Sequence, residues 1–223
     1  MSAPATEHLR LGTLPEGTRL RSVTAAPGTV DGRAGTRIAL TDEIAQHGTP
    51  GVDYVDQPTM ALLPLEFTTG TVSVDIHSQL TPEAPDYARG FAGIAFHVTP
   101  ALDHFESVYL RPTNGTLTNP GSPRDQRGIQ YFAYPDWPFD RLREEHPAGT
   151  YEAAAPITLG RWFRLSVNVA PDRITTSIND TEVLHIQTPL APPAPGAIGL
   201  FVDIGTDAHF ANLTVTHTNP ERT

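Results

Sequence analysis

The sequence predicts an all-β chain, an antiparallel β-sandwich with one short helix, and three observations point there. Apolar and polar residues alternate with period two in segment after segment, which is what a strand buried on one face requires. Turn signals such as PDR, ND and GTD recur at intervals of about ten residues. No long stretch carries the 3.6-residue apolar period of an amphipathic helix.

Each element follows in chain order. In GTVSVDIHS, Val72, Val74 and Ile76 alternate with Ser73, Asp75 and His77. GFAGIAFHV and GAIGLFVDI are apolar on both faces and read as central strands. In RWFRLSVNVA, Phe163, Leu165, Val167 and Val169 alternate with polar neighbours, as do Ile174 and Ile178 in RITTSIND and Leu213 and Val215 in FANLTVTHT. In all, about eleven strands are expected. Only PFDRLREEH reads as a helix, with Asp136 as its cap, Phe139 and Leu142 on one face, and Arg141 placed to pair with Glu145. The Pro-rich TPLAPPAPG reads as a rigid connection between strands. No linker separates domains, so residues 1–223 are expected to form a single sandwich domain.

Composition excludes several classes of function. The chain has no Cys and no Lys, so all fifteen basic residues are Arg. Thiolate, Schiff-base and phosphate-loop lysine chemistry are therefore ruled out. A net charge of −10 disfavours nucleic acid or an anionic membrane as partner and favours a neutral or cationic small ligand. MSAPATEHLRLGTLPEG lacks the charged and apolar regions of an export signal, and no apolar run is long enough to span a bilayer. A cytoplasmic location is the expectation. Oligomeric state is not legible.

One stretch stands out. IQYFAYPDWPFDRLREEHPAGTYE, residues 129–152, holds six aromatic rings and five carboxylates. Together with RGFAGIAFHV and HFESVYLRPTNG before it, and with the Trp162 strand, the IND turn and GAIGLFVDIGTDAHFANLTV after it, this stretch resembles the 3-keto-disaccharide hydrolase domain family over about residues 58–216. The YLRP-N, QY, P-W-RLR and YE series carries the resemblance. It implies a concanavalin A-like jelly-roll sandwich acting on sugars whose 3-hydroxyl has been oxidised to a ketone. Such a ketone acidifies the proton on carbon 2, so a base can remove it, the substituent on carbon 1 leaves, and water adds back. That route needs a general base, an enolate stabiliser and a proton donor. The chain departs from the family pattern at two positions. Tyr134 and Arg127 stand where members often carry His.

Candidate residues follow from pattern and resemblance together. Tyr109 and Arg111 share one face of a strand, opposite Glu106, and Gln130, Phe132 and Tyr134 share a face of the next. Asn114 follows in a turn. Arg143 and Glu152 match the RLR and YE positions, with Glu152 the preferred catalytic carboxylate. His97, on the face of the small residues Gly93 and Ala95, is the candidate base. Trp137 and Phe139 are candidates for stacking on a sugar ring. For a divalent metal, should one be used, the candidates are His97, His104 and Glu106. Two rivals to the hydrolase/lyase reading share its groove: a non-catalytic carbohydrate-binding sandwich, and a cyclase or isomerase repurposed for a biosynthetic pathway. The E-x-D-x-x-E strand of retaining glucanases is absent.

Overall fold

The computed structural model describes residues 5–218; Met1–Pro4, the start of the segment read for an export signal, lie outside them. Strands, numbered in chain order, form two antiparallel sheets. One runs β13 (Thr181–Ile186), β12 (Ile174–Ile178), β11 (Trp162–Val169), β6 (Gly70–Leu80), β15 (Thr206–His217), β4 (Arg33–Leu40) and β3 (Val23–Val30), with β1 (Thr6–Leu9) added to β15. The other runs β10 (Glu152–Ala153), β9 (Ile129–Tyr134), β8 (Phe105–Leu110), β7 (Ala92–Val98), β14 (Gly196–Val202), β5 (Met60–Phe67) and β2 (Arg19–Arg21).

The alternation read from sequence sets the register. Val72, Val74 and Ile76 of β6 lie opposite Val167, Leu165 and Phe163 of β11, and all six are buried. Both sheets contribute to one hydrophobic core. At about 25 cal/mol per Å² of apolar area removed from water, each fully buried Val, Leu, Ile or Phe side chain contributes about 2 kcal/mol. Strand β7 is buried on both faces, as its uninterrupted apolar run requires. The Pro-rich connection crosses from β13 in one sheet to β14 in the other.

Two α-helices are present among the described residues, where one was expected. The added one, α1 (Asp42–His47), starts at Thr41, whose Oγ1 accepts the Ile44 N–H at 3.4 Å. It buries no residue, so it shows no apolar stripe and its pattern was invisible. Helix α2 (Phe139–Glu145) is the expected helix, but Pro138 rather than Asp136 occupies its N-cap and supplies no side-chain bond. The Arg141–Glu145 pair forms at 2.7 Å, and Leu142 is the residue α2 buries. No described helix is long and apolar enough to cross a membrane.

Candidate functional site

Strand parity builds the floor of the site. Gly93, Tyr109 and Gln130 lie opposite one another across β7, β8 and β9, so their side chains leave the seven-stranded sheet on one face. Phe132 and Phe201 join that face, with ring centroids 5.7 and 5.6 Å from Tyr109. Gly93 is required there, because a Cβ would meet the Tyr109 Cβ at 2.7 Å and the Val108 and Tyr109 backbone closer still. Helix α2 and the surrounding loops cover this face. Between them and the floor lies a cavity of about 260 Å³, lined by Val55, Phe91, Tyr109, Phe139 and Ile204, five Arg and two Asp.

The two acids are Asp56 and Asp203, both buried. Asp203 closes β14 and accepts backbone N–H bonds from Val55 (3.0 Å), Asp56 (3.0 Å) and Ile204 (2.6 Å). Burial pushes its pKa up, and these three donors, with Arg111, pull against that rise. Asp56 accepts the Phe139 N–H at 2.7 Å. Burial, and then the Asp203 charge, push the Asp56 carboxyl up to about 7, while the Phe139 N–H, Arg111 and the Tyr109 hydroxyl pull the other way. Burial also raises the Tyr109 hydroxyl well above its ordinary value, against the pull of Arg111, so it remains a donor. Burial alone would lower Arg111; the Tyr109, Asp56 and Glu152 partners reverse this and keep the guanidinium charged. Asp56 also lines an adjoining cavity of about 180 Å³ with Tyr134, Phe132 and Pro138. It therefore stands between two spaces.

Glu152, at the start of β10, gathers three guanidiniums. Arg111 Nη1 donates at 3.2 Å, Arg143 Nε and Nη2 donate at 3.1 and 2.5 Å, and Arg127 Nε lies 3.3 Å away. Arg111 also donates to the Tyr109 hydroxyl at 2.9 Å. Arg111 and Arg143 each lie over the Phe139 ring, 5.1 Å from its centroid. Asn114 accepts Arg124 Nε at 3.0 Å and donates to the Arg127 carbonyl at 3.2 Å, fixing both approaches. Gln130 lies beside Glu152 in register. Its Nε2 donates to the Tyr131 and Tyr151 carbonyls, and among the described residues its buried Oε1 finds no donor.

Of the residues singled out from sequence, the fold gathers Tyr109, Arg111, Asn114 and Arg143 on this cavity, and Gln130 and Glu152 on a small space of about 50 Å³ that shares Arg127, Phe139 and Arg143 with it. Tyr134 stacks on Phe105 at 5.0 Å and reaches only the adjoining space. Trp137 is half-buried, with Arg141 4.1 Å above its ring and His146 packed at 5.5 Å, and it does not line this cavity. His97 leaves the expected face. An extra residue in β7 between Ala95 and Val98, and a left-handed backbone at His97 (φ 54°), reverse its parity. Its ring instead meets Glu106 at 2.6 Å and donates through Nε2 to the Thr68 carbonyl at 2.8 Å, while the Tyr131 hydroxyl donates to Glu106 at 2.5 Å. With both ring nitrogens and both Glu106 oxygens engaged, His97, His104 and Glu106 do not fit a metal. No other group of three His, Asp or Glu among the described residues does so either.

Sequence reading missed Asp56, Asp203, Arg89 and Arg124, and treated Arg127 only as a departure. Asp203 left a signal, an acid directly ending the apolar run GLFV. Asp56 left none, since YVDQP reads as an ordinary turn.

No protein-family model matches this chain, and no curated protein does, so the family resemblance rests on the motif series. Solved structures similar to it include a protein of unknown function with a galectin-like fold from Bacillus subtilis, with a TM-score of 0.57, 11% identity, and 97% of this chain and 96% of that one covered. The carbohydrate-binding module CBM66 from Bacillus subtilis gives 0.53 and 13%, covering 88% and 96%. A Bacillus licheniformis β-glucanase gives 0.53 and 10%, covering 96% and 98%. At such identities the likeness is one of fold, and the fold is the jelly-roll sandwich shared by concanavalin A-like and galectin-like proteins.

Proposed function

We propose that this protein is a sugar-active enzyme that cleaves a 3-keto-glycoside by elimination and hydration in the cavity beneath α2. The observation that carries the reading is Asp56, a buried carboxyl brought to about 7 beside the Tyr109 hydroxyl and Arg111. A base poised near neutral pH is what proton abstraction next to a carbonyl needs. At about 260 Å³ the cavity falls just below the roughly 300 to 1,000 Å³ of ordinary ligand sites, and suits a single sugar ring.

In this reading the Asp56 carboxylate takes the proton from carbon 2, and its bonding pair moves into the carbonyl to form an enolate. Arg111 and the Tyr109 hydroxyl stabilise the negative oxygen. The enolate then expels the substituent on carbon 1 with its bonding pair, and protonated Asp56 returns the proton to the departing oxygen. Water adds across the double bond, so the products are the free 3-keto sugar and the released alcohol. Asp56 takes the part that sequence reading gave to Glu152 and His97. Glu152 is a positioning residue that holds Arg111, Arg127 and Arg143. The motif series supports the keto-sugar class, and the glucanase and carbohydrate-binding likenesses are consistent with a sugar ligand. An aromatic and arginine-rich lining supports a polar substrate over the apolar one of a repurposed cyclase.

The test is aglycone release from a 3-keto-glucoside. Asp56→Asn is expected to lower kcat at least 100-fold with ligand binding retained. Absence of release by the unaltered protein, with or without a divalent cation, would overturn the enzyme reading. A second reading, a carbohydrate-binding sandwich without turnover, is favoured by one observation: Glu152 is fully engaged by guanidiniums. It predicts calorimetric sugar binding with no substrate consumed.

A further inference from the structure

We propose that Arg89 and Arg124 form an anion subsite at the mouth of this cavity, and that the ligand carries an oxyanion, a carboxylate in the first instance, attached to its sugar ring. The ring rests on the function proposed above; the oxyanion does not.

The argument begins with charge. The whole chain carries −10, yet five of its fifteen Arg line one cavity against two Asp. Solubility does not account for that concentration. The acids nearby do not balance it. Asp203 is occupied by three backbone N–H groups, Asp56 accepts a fourth, and the single carboxylate of Glu152 serves Arg111, Arg127 and Arg143.

Arg89 and Arg124 are left without a carboxylate partner among the described residues, and both are held by neutral acceptors. Arg89 Nη1 donates to the Asp86 and Ala88 carbonyls at 2.6 and 2.8 Å. Arg124 donates to Asn114 Oδ1 at 3.0 Å, and to the Thr113 carbonyl and hydroxyl at 3.2 and 3.3 Å. These bonds fix direction without neutralising charge. The two guanidiniums and Arg111 are close enough that, after burial, the charges of Arg124 and Arg111 are the largest influences lowering Arg89; the Asp86 charge opposes them. Like charges pressed together and steered by neutral groups are the arrangement an anion resolves. Planar guanidiniums match carboxylate and phosphate oxygens with paired N–H bonds. The expectation of a neutral or cationic ligand, drawn from net charge, is thereby replaced, because the local field around Arg89 and Arg124 opposes the sign of the whole molecule.

The experiment is calorimetry on the full chain with four probes: glucose, glucuronate, glucose 6-phosphate and inorganic phosphate. Glucuronate is expected to bind at least tenfold tighter than glucose, with that preference shrinking in 0.5 M NaCl as screening shortens the reach of the field. Arg89→Gln with Arg124→Gln should bring glucuronate to within twofold of glucose, both affinities being measured on the same variant. Arg124→Gln alone, on the exposed rim, should cut the preference at least threefold and guards against misfolding of the double variant. If glucose 6-phosphate alone shows the preference, the subsite stands and its anion is a phosphate. If inorganic phosphate binds and no sugar does, the subsite stands and the sugar reading falls. If glucose binds as tightly as its anionic forms, or the preference survives both substitutions, the subsite falls and the sugar reading stands. If no probe binds, both fall.

Discussion

Asp56 follows Val55 in a loop where both residues take the left-handed conformation, with φ of 57° and 68°. For a β-branched residue such as Val55 that conformation is rare and costs of order 1–3 kcal/mol. The strain is held by Asp203, which takes the N–H of both residues. The loop thereby delivers a carboxyl to the cavity wall. As the base, Asp56 must be ionised, so kcat/KM should rise with pH and level off above about 7. Stability should move the other way. The folded pKa of Asp56 lies above its ordinary 3.8, so between these values the folded state holds more protons than the unfolded one. Stability therefore declines as pH rises through the window from about 4 to 7, by on the order of 4 kcal/mol for this carboxyl alone. Asp56→Asn should flatten both curves, leaving a variant more stable than the unaltered protein at pH 8 and nearly matched at pH 4. Urea melts across that range are the measurement. The Asp203 shift has the same direction, so a shallower slope should persist in the variant. None of this was legible in YVDQP, because the burial that raises Asp56 is made by the fold, the Asp203 charge that adds to it lies 147 residues away, and Tyr109 and Arg111, which oppose it, come from another segment.

Helix α2 has seven residues and no side-chain cap, too few to be stable alone in water. Three attachments hold it. Leu142 is buried beneath it, Asp56 takes its first N–H, and Arg143 reaches Glu152. Glu152→Ala removes the common partner of three guanidiniums. Breaking a buried pair costs about 3–5 kcal/mol, and the lower end applies here because Arg127 and Arg143 are about one-third exposed. The variant should lose about 3 kcal/mol by chemical denaturation. Its α2 amides should exchange faster, and Arg143→Gln should add less in the Glu152→Ala background than alone. The helix itself was readable from Phe139, Leu142 and the Arg141–Glu145 spacing. Its exact cap was not, since the group that satisfies its first donor comes from another loop.

Across the molecule, the central pairing of β6 with β15 joins residues 70–80 to residues 206–217, and β1 joins residues 6–9 to 213–216. Closing such long segments before their contacts form is slow, so refolding from urea should fall in the millisecond-to-second range typical of β-sandwiches. Fluorescence of Trp162, in β11, should report sheet formation, and a Trp162→Phe variant would leave Trp137 to report docking of α2. A microsecond phase carrying most of the Trp162 signal would contradict this order.

What the sequence determined by itself was the sandwich and much of one wall of the site. Period-two alternation is a local property that directly fixes which side chains face the core, and the same parity placed Tyr109 with Arg111 and Gln130 with Tyr134. Where parity was broken the reading broke too, as the bulge that turned His97 toward Glu106 shows. Tertiary structure alone decided that Asp56 and Asp203 meet, that Glu152 is shared by three Arg, and that Arg89 and Arg124 share one mouth. The physical reason is that ionisation and charge balance depend on the environment created by distant segments, and neither burial nor a neighbouring charge leaves a periodic trace in the chain.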